Sequence, residues 1–181
     1  KSCRIVKEAL GLIEKLIYPG VTTQELDAEA ENFIRSKGAK PGFKGLYGYP
    51  ATLCVSIDDE VVHGIPNNRQ LKDGEIISVD VGSYMNGYYG DHAKTFPVGE
   101  VDTDKISLMN VTRECLMAAI ENALPGNRIG DLSHAVQEKA ESYGYGVVRD
   151  LVGHGIGTEL HEEPQIPNFG NQGSGPKIKE G

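Results

Sequence analysis

An internal repeat limits this chain to few architectures. Pro19-Gly20 and Pro125-Gly126 stand 106 residues apart, as do Glu25-Leu26 and Asp131-Leu132, and Gly38 and Gly144. Upstream of the first Pro-Gly pair, Val6, Ala9, Leu10, Ile13, Leu16 and Ile17 keep the spacing of one helix face, and Pro19-Gly20 stops that helix. Thr22 and Glu25 then form a capping-box pattern that opens a second helix through Leu26, Ala30, Phe33 and Ile34 to Gly38. In the second copy, a helix through Cys115, Leu116, Ala119 and Ala123 ends at Pro125-Gly126, and another runs through Leu132, Val136 and Ala140 to Gly144. Helix hairpins closed by Pro-Gly are common on their own. The next element, however, repeats as well: Leu71-Lys72-Asp73-Gly74 leads into a strand, and Ile178-Lys179-Glu180-Gly181 has the same pattern 107 residues on.

These matches predict an α/β (α+β) fold of two αβ halves, each setting helices against strands, packed as a pseudo-symmetric pair in a single domain over residues 1–181. That length suits one domain, burying roughly 70% of its unfolded surface. In the first half the acid Asp80 follows Gly74 by six residues. The repeat therefore places an acid six residues beyond Gly181. The chain also opens within a predicted helix without an initiator methionine, so both ends read as cut and a longer parent protein is expected, with C-terminal strands missing here.

Composition removes several function classes. With 39% hydrophobic and 24% charged residues and a net charge of −8, the chain reads as an ordinary soluble protein. No apolar run approaches the ~20 residues of a membrane helix, and no charged-then-apolar leader is present. An acidic chain without Lys/Arg blocks is a poor partner for nucleic acid or a membrane surface. Cys3, Cys54 and Cys115 are scattered and odd in number, which predicts a reducing compartment, buried apolar thiols and no thiolate zinc site.

The candidate chemistry begins on a hairpin. From Glu75 to Val81 the sequence alternates, with Ile77, Val79 and Val81 on one face and Ile76, Ser78 and Asp80 on the other. Asn86-Gly87 is a two-residue hairpin signal, followed by a strand from near Tyr88 to Phe96. A turn that pairs Met85 with Tyr88 sets Asp80 opposite Ala93, so Asp91 lies on the same face, diagonal to Asp80. Two carboxylates on an apolar strand pair repel each other and lose hydration, and a divalent cation compensates both effects. Carboxylate with imidazole suits Mn, Fe, Co or Zn. His92 falls on the opposite face from Asp91, which predicts a surface or supporting role.

Three histidines join the constellation at predicted strand–loop junctions. Val147-Val148 and Leu151-Val152 read as a strand entering Gly153-His154-Gly155-Ile156-Gly157, His161 opens His161-Glu162-Glu163-Pro164, and His63 follows the apolar pair Val61-Val62. Glycines around His154 let the backbone bend closely while leaving the imidazole accessible. His134 lies within a predicted helix and reads as structural. Competing motifs fail on spacing. His161-Glu162-Glu163-Pro164-Gln165 is not H-E-x-x-H, Thr158 spoils a dinucleotide loop at Gly153, and neither a P-loop nor a G-x-S-x-G elbow occurs.

Taken together, Tyr47-Gly48-Tyr49-Pro50 through Cys54-Val55-Ser56, Val62-His63-Gly64-Ile65-Pro66, Ser78-Val79-Asp80-Val81-Gly82, Gly90-Asp91-His92-Ala93-Lys94-Thr95-Phe96, and Gly153-His154-Gly155-Ile156-Gly157 with His161-Glu162-Glu163-Pro164 resemble type I methionine aminopeptidase in order and spacing across essentially the whole chain. The resemblance implies the pseudo-two-fold pita-bread fold with a central antiparallel sheet, a cytoplasmic location, and hydrolytic removal of the N-terminal methionine of nascent peptides. It implies two divalent metal ions (Co, Mn, Fe or Zn), with Asp80 chelating one, Asp91 bridging both and His154 ligating the second. His63 and His161 would contact substrate near its amine and scissile peptide and stabilise the tetrahedral intermediate. Tyr49, Cys54 and His63 would help line the pocket for the methionine side chain. The implied partners are the nascent peptide and, as a candidate, the ribosome, with no specific nucleic acid and no membrane, the enzyme being a monomer.

The departures carry expectations of their own. The family's five-ligand site also uses two glutamates on strands beyond Gly181, so this chain alone is expected to hold metal poorly and to turn over little peptide. Leu160 stands where an aromatic residue is usual and Leu46 where tyrosine is frequent, which alters the expected pocket. Two other functions remain open on the sequence: an Xaa-Pro aminopeptidase or prolidase, and a non-catalytic binding module on the same fold.

Overall fold

Both copies of the repeat build a helix hairpin and tie it back to a later extended segment. In the first, α1 (Ser2–Leu16) and α2 (Thr23–Ser36) meet at a corner where Gly20 takes φ 105°, a conformation a side chain would oppose. The capping box forms as predicted: Glu25 N–H donates to Thr22 Oγ1 at 3.1 Å, and Thr22 N–H donates to the Glu25 carboxylate at 2.8 Å. In the second copy, α3 (Thr103–Asn122) and α4 (Ile129–Ser142) meet at Gly126, φ 99°, and Arg128 N–H donates to Asp131 at 2.7 Å. The return segments match too. Gly20 N–H donates to Leu71 O (2.7 Å) and Leu71 N–H to Val21 O (2.8 Å), while Gly126 N–H donates to Ile178 O (3.1 Å) and Ile178 N–H to Asn127 O (2.7 Å). The computed structural model describes residues 1–180. Gly181, the last residue of the repeat match, lies outside the described residues.

The chain resolves into two units, one of residues 1–102 with 156–160 and one of residues 103–155 with 161 onward. In the first unit, β1 (Lys40–Pro41) and β2 (Leu53–Ile57) lie in succession along one edge of β3 (Ile76–Met85), and β4 (Tyr88–Pro97) lies along the other, all antiparallel to β3. The Asn86-Gly87 turn, with φ 55° and 88°, pairs Met85 with Tyr88, and the ladder runs unbroken to Ile76 opposite Pro97. Ile77, Val79 and Val81 are fully enclosed and pack with Val6, Ala9, Ile13, Leu26 and Ile34 from α1 and α2. Each such large side chain contributes about 1.5–3 kcal/mol of burial. The amphipathic faces read from the sequence thus meet the sheet face read from the sequence.

The second unit packs α3 and α4 around a small cluster of Val111, Cys115 and Ala140, flanked by Val136, Tyr145 and Val147. A two-stranded ladder of β5 (Val152–Gly155) and β6 (Glu162–Pro167) completes it, with a register shift between His154 and Gly155. Several expectations need correction. Val61-Val62 form no strand: β2 ends at Ile57, Asp58 turns at φ 52°, and the two valines stand in an exposed loop. The strand expected from Val147 starts only at Val152, because Val147 packs into the helical cluster instead. Cys54 and Cys115 are buried, but Cys3 is exposed, since α1 turns that position outward.

Candidate metal centre and side-chain pocket

The face of β3 that looks away from the α1–α2 core carries Ser78, Asp80, Gly82 and Tyr84, paired in turn with Thr95, Ala93, Asp91 and Tyr89 of β4. The predicted diagonal of Asp80 and Asp91 is therefore present. A hydroxyl pair, Ser78–Thr95 at 2.8 Å, brackets it at one end, and the Tyr84 and Tyr89 rings, 4.7 Å apart, bracket it at the other. Burial pushes the Asp80 carboxyl well above the ordinary range, and the Asp91 charge and a hydrogen bond shared between the two carboxyls add to the effect. Asp80 Oδ1 is buried with no hydrogen-bond partner. A buried acceptor left in that state is costly, and a divalent cation is the partner whose charge relieves both the repulsion and the unmet oxygen. The donor set at this point of the sheet fits a metal.

Cys54 faces Asp80 across the β2–β3 pair. Burial pushes its thiol up to about 11, so it stays neutral and behaves as a soft apolar group rather than a nucleophile. Phe43, Cys54 and Leu160 form a buried cluster, with Leu46, Tyr49 and Tyr89 packed against it. The Phe43 ring lies over Gly82, where any Cβ would collide with it. Phe43 had no signal in the sequence beyond its flanking glycine, because the close approach is made to a residue 39 positions away. Leu46 and Leu160, which depart from the usual aromatic residues, both contribute to this apolar wall. The Tyr49 hydroxyl lies 2.8 Å from Leu53 O and 3.1 Å from Gly64 O, and burial raises its pKa strongly. It thereby ties β2 to the loop of His63, which is exposed and holds φ 62°.

In the second unit His154 stands within β5 and His161 directly precedes β6, their rings 4.4 Å apart and edge to face. Gly155 permits this, since a Cβ there would strike the Glu163 carbonyl. His154 Nδ1 is 2.9 Å from Gly155 O. A carbonyl only accepts, so Nδ1 is the donor in this bond. His92 is exposed on the face opposite Asp91, and His134 lies in α4, both as expected. The first unit thus gathers Asp80, Asp91, Cys54 and Tyr49, and the second gathers His154 and His161. Among the described residues, no set of three or more His, Cys, Asp or Glu side chains is arranged to hold a metal ion. No helix among them is long and apolar enough to cross a membrane.

Comparison with known proteins agrees with this geometry. The family model of metallopeptidase family M24 matches residues 1–181. A methionine aminopeptidase of Clostridium acetobutylicum is 52% identical over 179 residues, covering 98% of this chain and 72% of that protein. The crystal structure of the Thermotoga maritima methionine aminopeptidase superposes with a TM-score of 0.98 at 46% identity, covering 99% of this chain and 73% of that one. A prolidase from Pyrococcus furiosus, 24% identical, superposes at 0.82 over 98% of this chain and 51% of its own, a likeness of fold alone. The architecture is the pita-bread fold of these neighbours. With its divalent-cation chemistry, the chain belongs to metallopeptidase family M24, among the methionine aminopeptidases.

Proposed function

We propose that this chain carries the catalytic unit of an aminopeptidase that hydrolyses the initiator methionine from nascent polypeptides. The observation that carries the reading is the buried, unpartnered Asp80 oxygen beside Asp91, directly opposite Cys54 in an apolar cluster. Asp80, Asp91 and His154 are the residues that would hold two divalent ions, drawn from Co, Mn, Fe or Zn. Bound there, such ions polarise a peptide carbonyl and acidify water.

The remaining work falls to the chain itself. The Nδ1 proton given to Gly155 O fixes the His154 tautomer and leaves Nε2 as its ligating atom. His63 and His161 bind near the substrate amine and the scissile peptide, where an imidazole N–H donates to the carbonyl oxygen as charge develops on it. Phe43, Tyr49, the neutral Cys54 thiol and Leu160 exclude water and take the methionine side chain, whose polarisable thioether suits soft and aromatic contacts. A substrate that first appears as chains leave the ribosome places the enzyme in the cytoplasm, near the ribosome.

The test is release of free amino acid by the protein that carries this chain, loaded anaerobically with Mn or Co. A Met-Ala-Ser peptide should yield methionine while an Ala-Pro peptide stays intact. Asp91→Asn should abolish turnover together with calorimetric metal uptake. Preferential cleavage of Ala-Pro would transfer the reading to an Xaa-Pro peptidase, and absence of metal uptake would leave a binding module.

A further inference from the structure

We propose that Asp27 of α2 is a positioning residue for the methionine pocket, clamping the backbone from which Tyr49 and Cys54 are hung. The proposal rests on the pocket assignment above. It starts from one oxygen: Asp27 Oδ1 accepts both Thr52 N–H, at 2.9 Å, and Leu53 N–H, at 2.7 Å. Thr52 and Leu53 are completely buried where β2 begins, one residue before Cys54. A side chain on the neighbouring helix thus supplies the acceptor for both N–H groups at the entry to β2.

The clamp continues on both sides of the same residue. The Leu53 N–H goes to Asp27, while the Leu53 carbonyl is the 2.8 Å partner of the Tyr49 hydroxyl, which also reaches Gly64 O beside His63. One turn further along α2, Glu31 binds Lys44 Nζ at 2.6 Å and lies 3.4 Å from Thr52 Oγ1. The segment from Lys44 to Leu53 is thus pinned at each end to positions i and i+4 of a single helix, and Phe43, Leu46, Tyr49 and Cys54 all lie on or beside it. α2 is itself fixed by its capping box and by Thr23, whose hydroxyl bonds the Asn67 backbone in both directions, at 3.0 and 2.9 Å. Burial raises the Asp27 pKa in spite of its two N–H donors, so the position is expensive for a carboxylate that served only solubility. The role needs an acceptor oxygen at this point rather than a negative charge.

Two substitutions separate these accounts. Asp27→Asn keeps the carbonyl oxygen and should behave as wild type, whereas Asp27→Ala leaves both N–H groups unmet. In the protein that carries this chain, Asp27→Ala should raise KM for Met-Ala-Ser about tenfold with kcat changed less than about threefold, a loss of binding rather than of chemistry. It should also lower the preference for methionine over leucine at the first position while calorimetric Mn affinity stays unchanged. A readout independent of turnover is alkylation followed residue by residue by mass spectrometry. Cys54 labelling should accelerate at least about tenfold in Asp27→Ala, reflecting local opening. Cys115, buried in the second unit, should keep its wild-type rate, and Asp27→Asn should restore Cys54 protection. Equal acceleration at Cys54 and Cys115 would mean general destabilisation, and an Asp27→Asn protein as labile as Asp27→Ala would mean that charge matters; either overturns the clamp. Failure of the wild type to release methionine would instead count against the proposed function, with the labelling result still deciding for or against the clamp.

Discussion

α1 and α3 occupy the same place in the repeat and have opposite fates. Leu10 is 3% exposed and its counterpart 106 residues on, Leu116, is 58% exposed; Ile13 is fully buried, and its counterpart is the smaller Ala119. Yet both hairpins turn at a positive-φ glycine, place an acid on the N-cap amide, and take back an extended segment through the same pair of backbone hydrogen bonds. What repeats faithfully is local. What differs within the described residues is the layer laid on top: β3 and β4 pack on α1, and α3 shares the small Val111–Cys115–Ala140 cluster, in a chain that spans 72% of the length of the Clostridium acetobutylicum relative it matches. A helix hairpin is specified by its corners, but its stability is contributed by the sheet.

The largest expected effect sharpens that contrast. Ile13→Ala removes a side chain from the enclosed α1 face and should cost about 2–5 kcal/mol. Leu116→Ala should stay within about 0.5 kcal/mol, as an exposed change away from any special feature does. Urea unfolding monitored by circular dichroism measures both. Comparable losses would show that α3 is held as firmly as α1 and would break the comparison.

The same strand that provides the first unit's core also bears its least comfortable group. Asp80 is favoured in its protonated form in the folded state, its pKa raised by burial first and by Asp91 second. Folding stability from this group is therefore fully present at acid pH, below the ordinary carboxylate range, and is lost as pH climbs toward neutrality. Asp80→Asn mimics the protonated form. In the metal-free protein it should raise stability at pH 8 by roughly 2–4 kcal/mol and flatten the fall between pH 5 and 8, while weakening metal uptake. Denaturant midpoints in chelator at the two pH values decide it. An unchanged pH profile would mean that the sheet already satisfies this carboxylate.

Legibility followed the same division. The β3–β4 register, with Asp80 opposite Ala93 and Asp91 on the diagonal, was readable because a two-residue Asn-Gly turn and a period of two fix it locally. Caps and corners were readable for the same reason. The fates of Val61-Val62 and of Val147 were not, since apolar character alone does not say which neighbour will cover it. Phe43 over Gly82 and Asp27 at the Thr52–Leu53 amides escaped because each joins residues 25 to 39 positions apart. Such contacts are visible only once the helix and the sheet have met.

The smallest prediction asks whether the corners are as equivalent as their geometry suggests. Gly38 and Gly144 end α2 and α4 at φ 74° and 80°, and a Cβ added at either would meet no atom within 4 Å. Neither helix end is crowded, so the cost of Gly38→Ala or Gly144→Ala is purely that of holding an L-residue in the left-handed region, about 1–2 kcal/mol. If local conformation is what the repeat preserves, the two losses should agree within about 0.5 kcal/mol although one helix supports a large core and the other a small one. The comparison needs each unit's unfolding followed separately, by site-resolved hydrogen exchange at the amides of Ala39 and Tyr145, which close the two corners on Ile34 and Ala140. A loss confined to the Gly38 corner would mean that the second corner is held by its surroundings rather than by its own backbone. The repeat would then be one of sequence whose energetics had diverged.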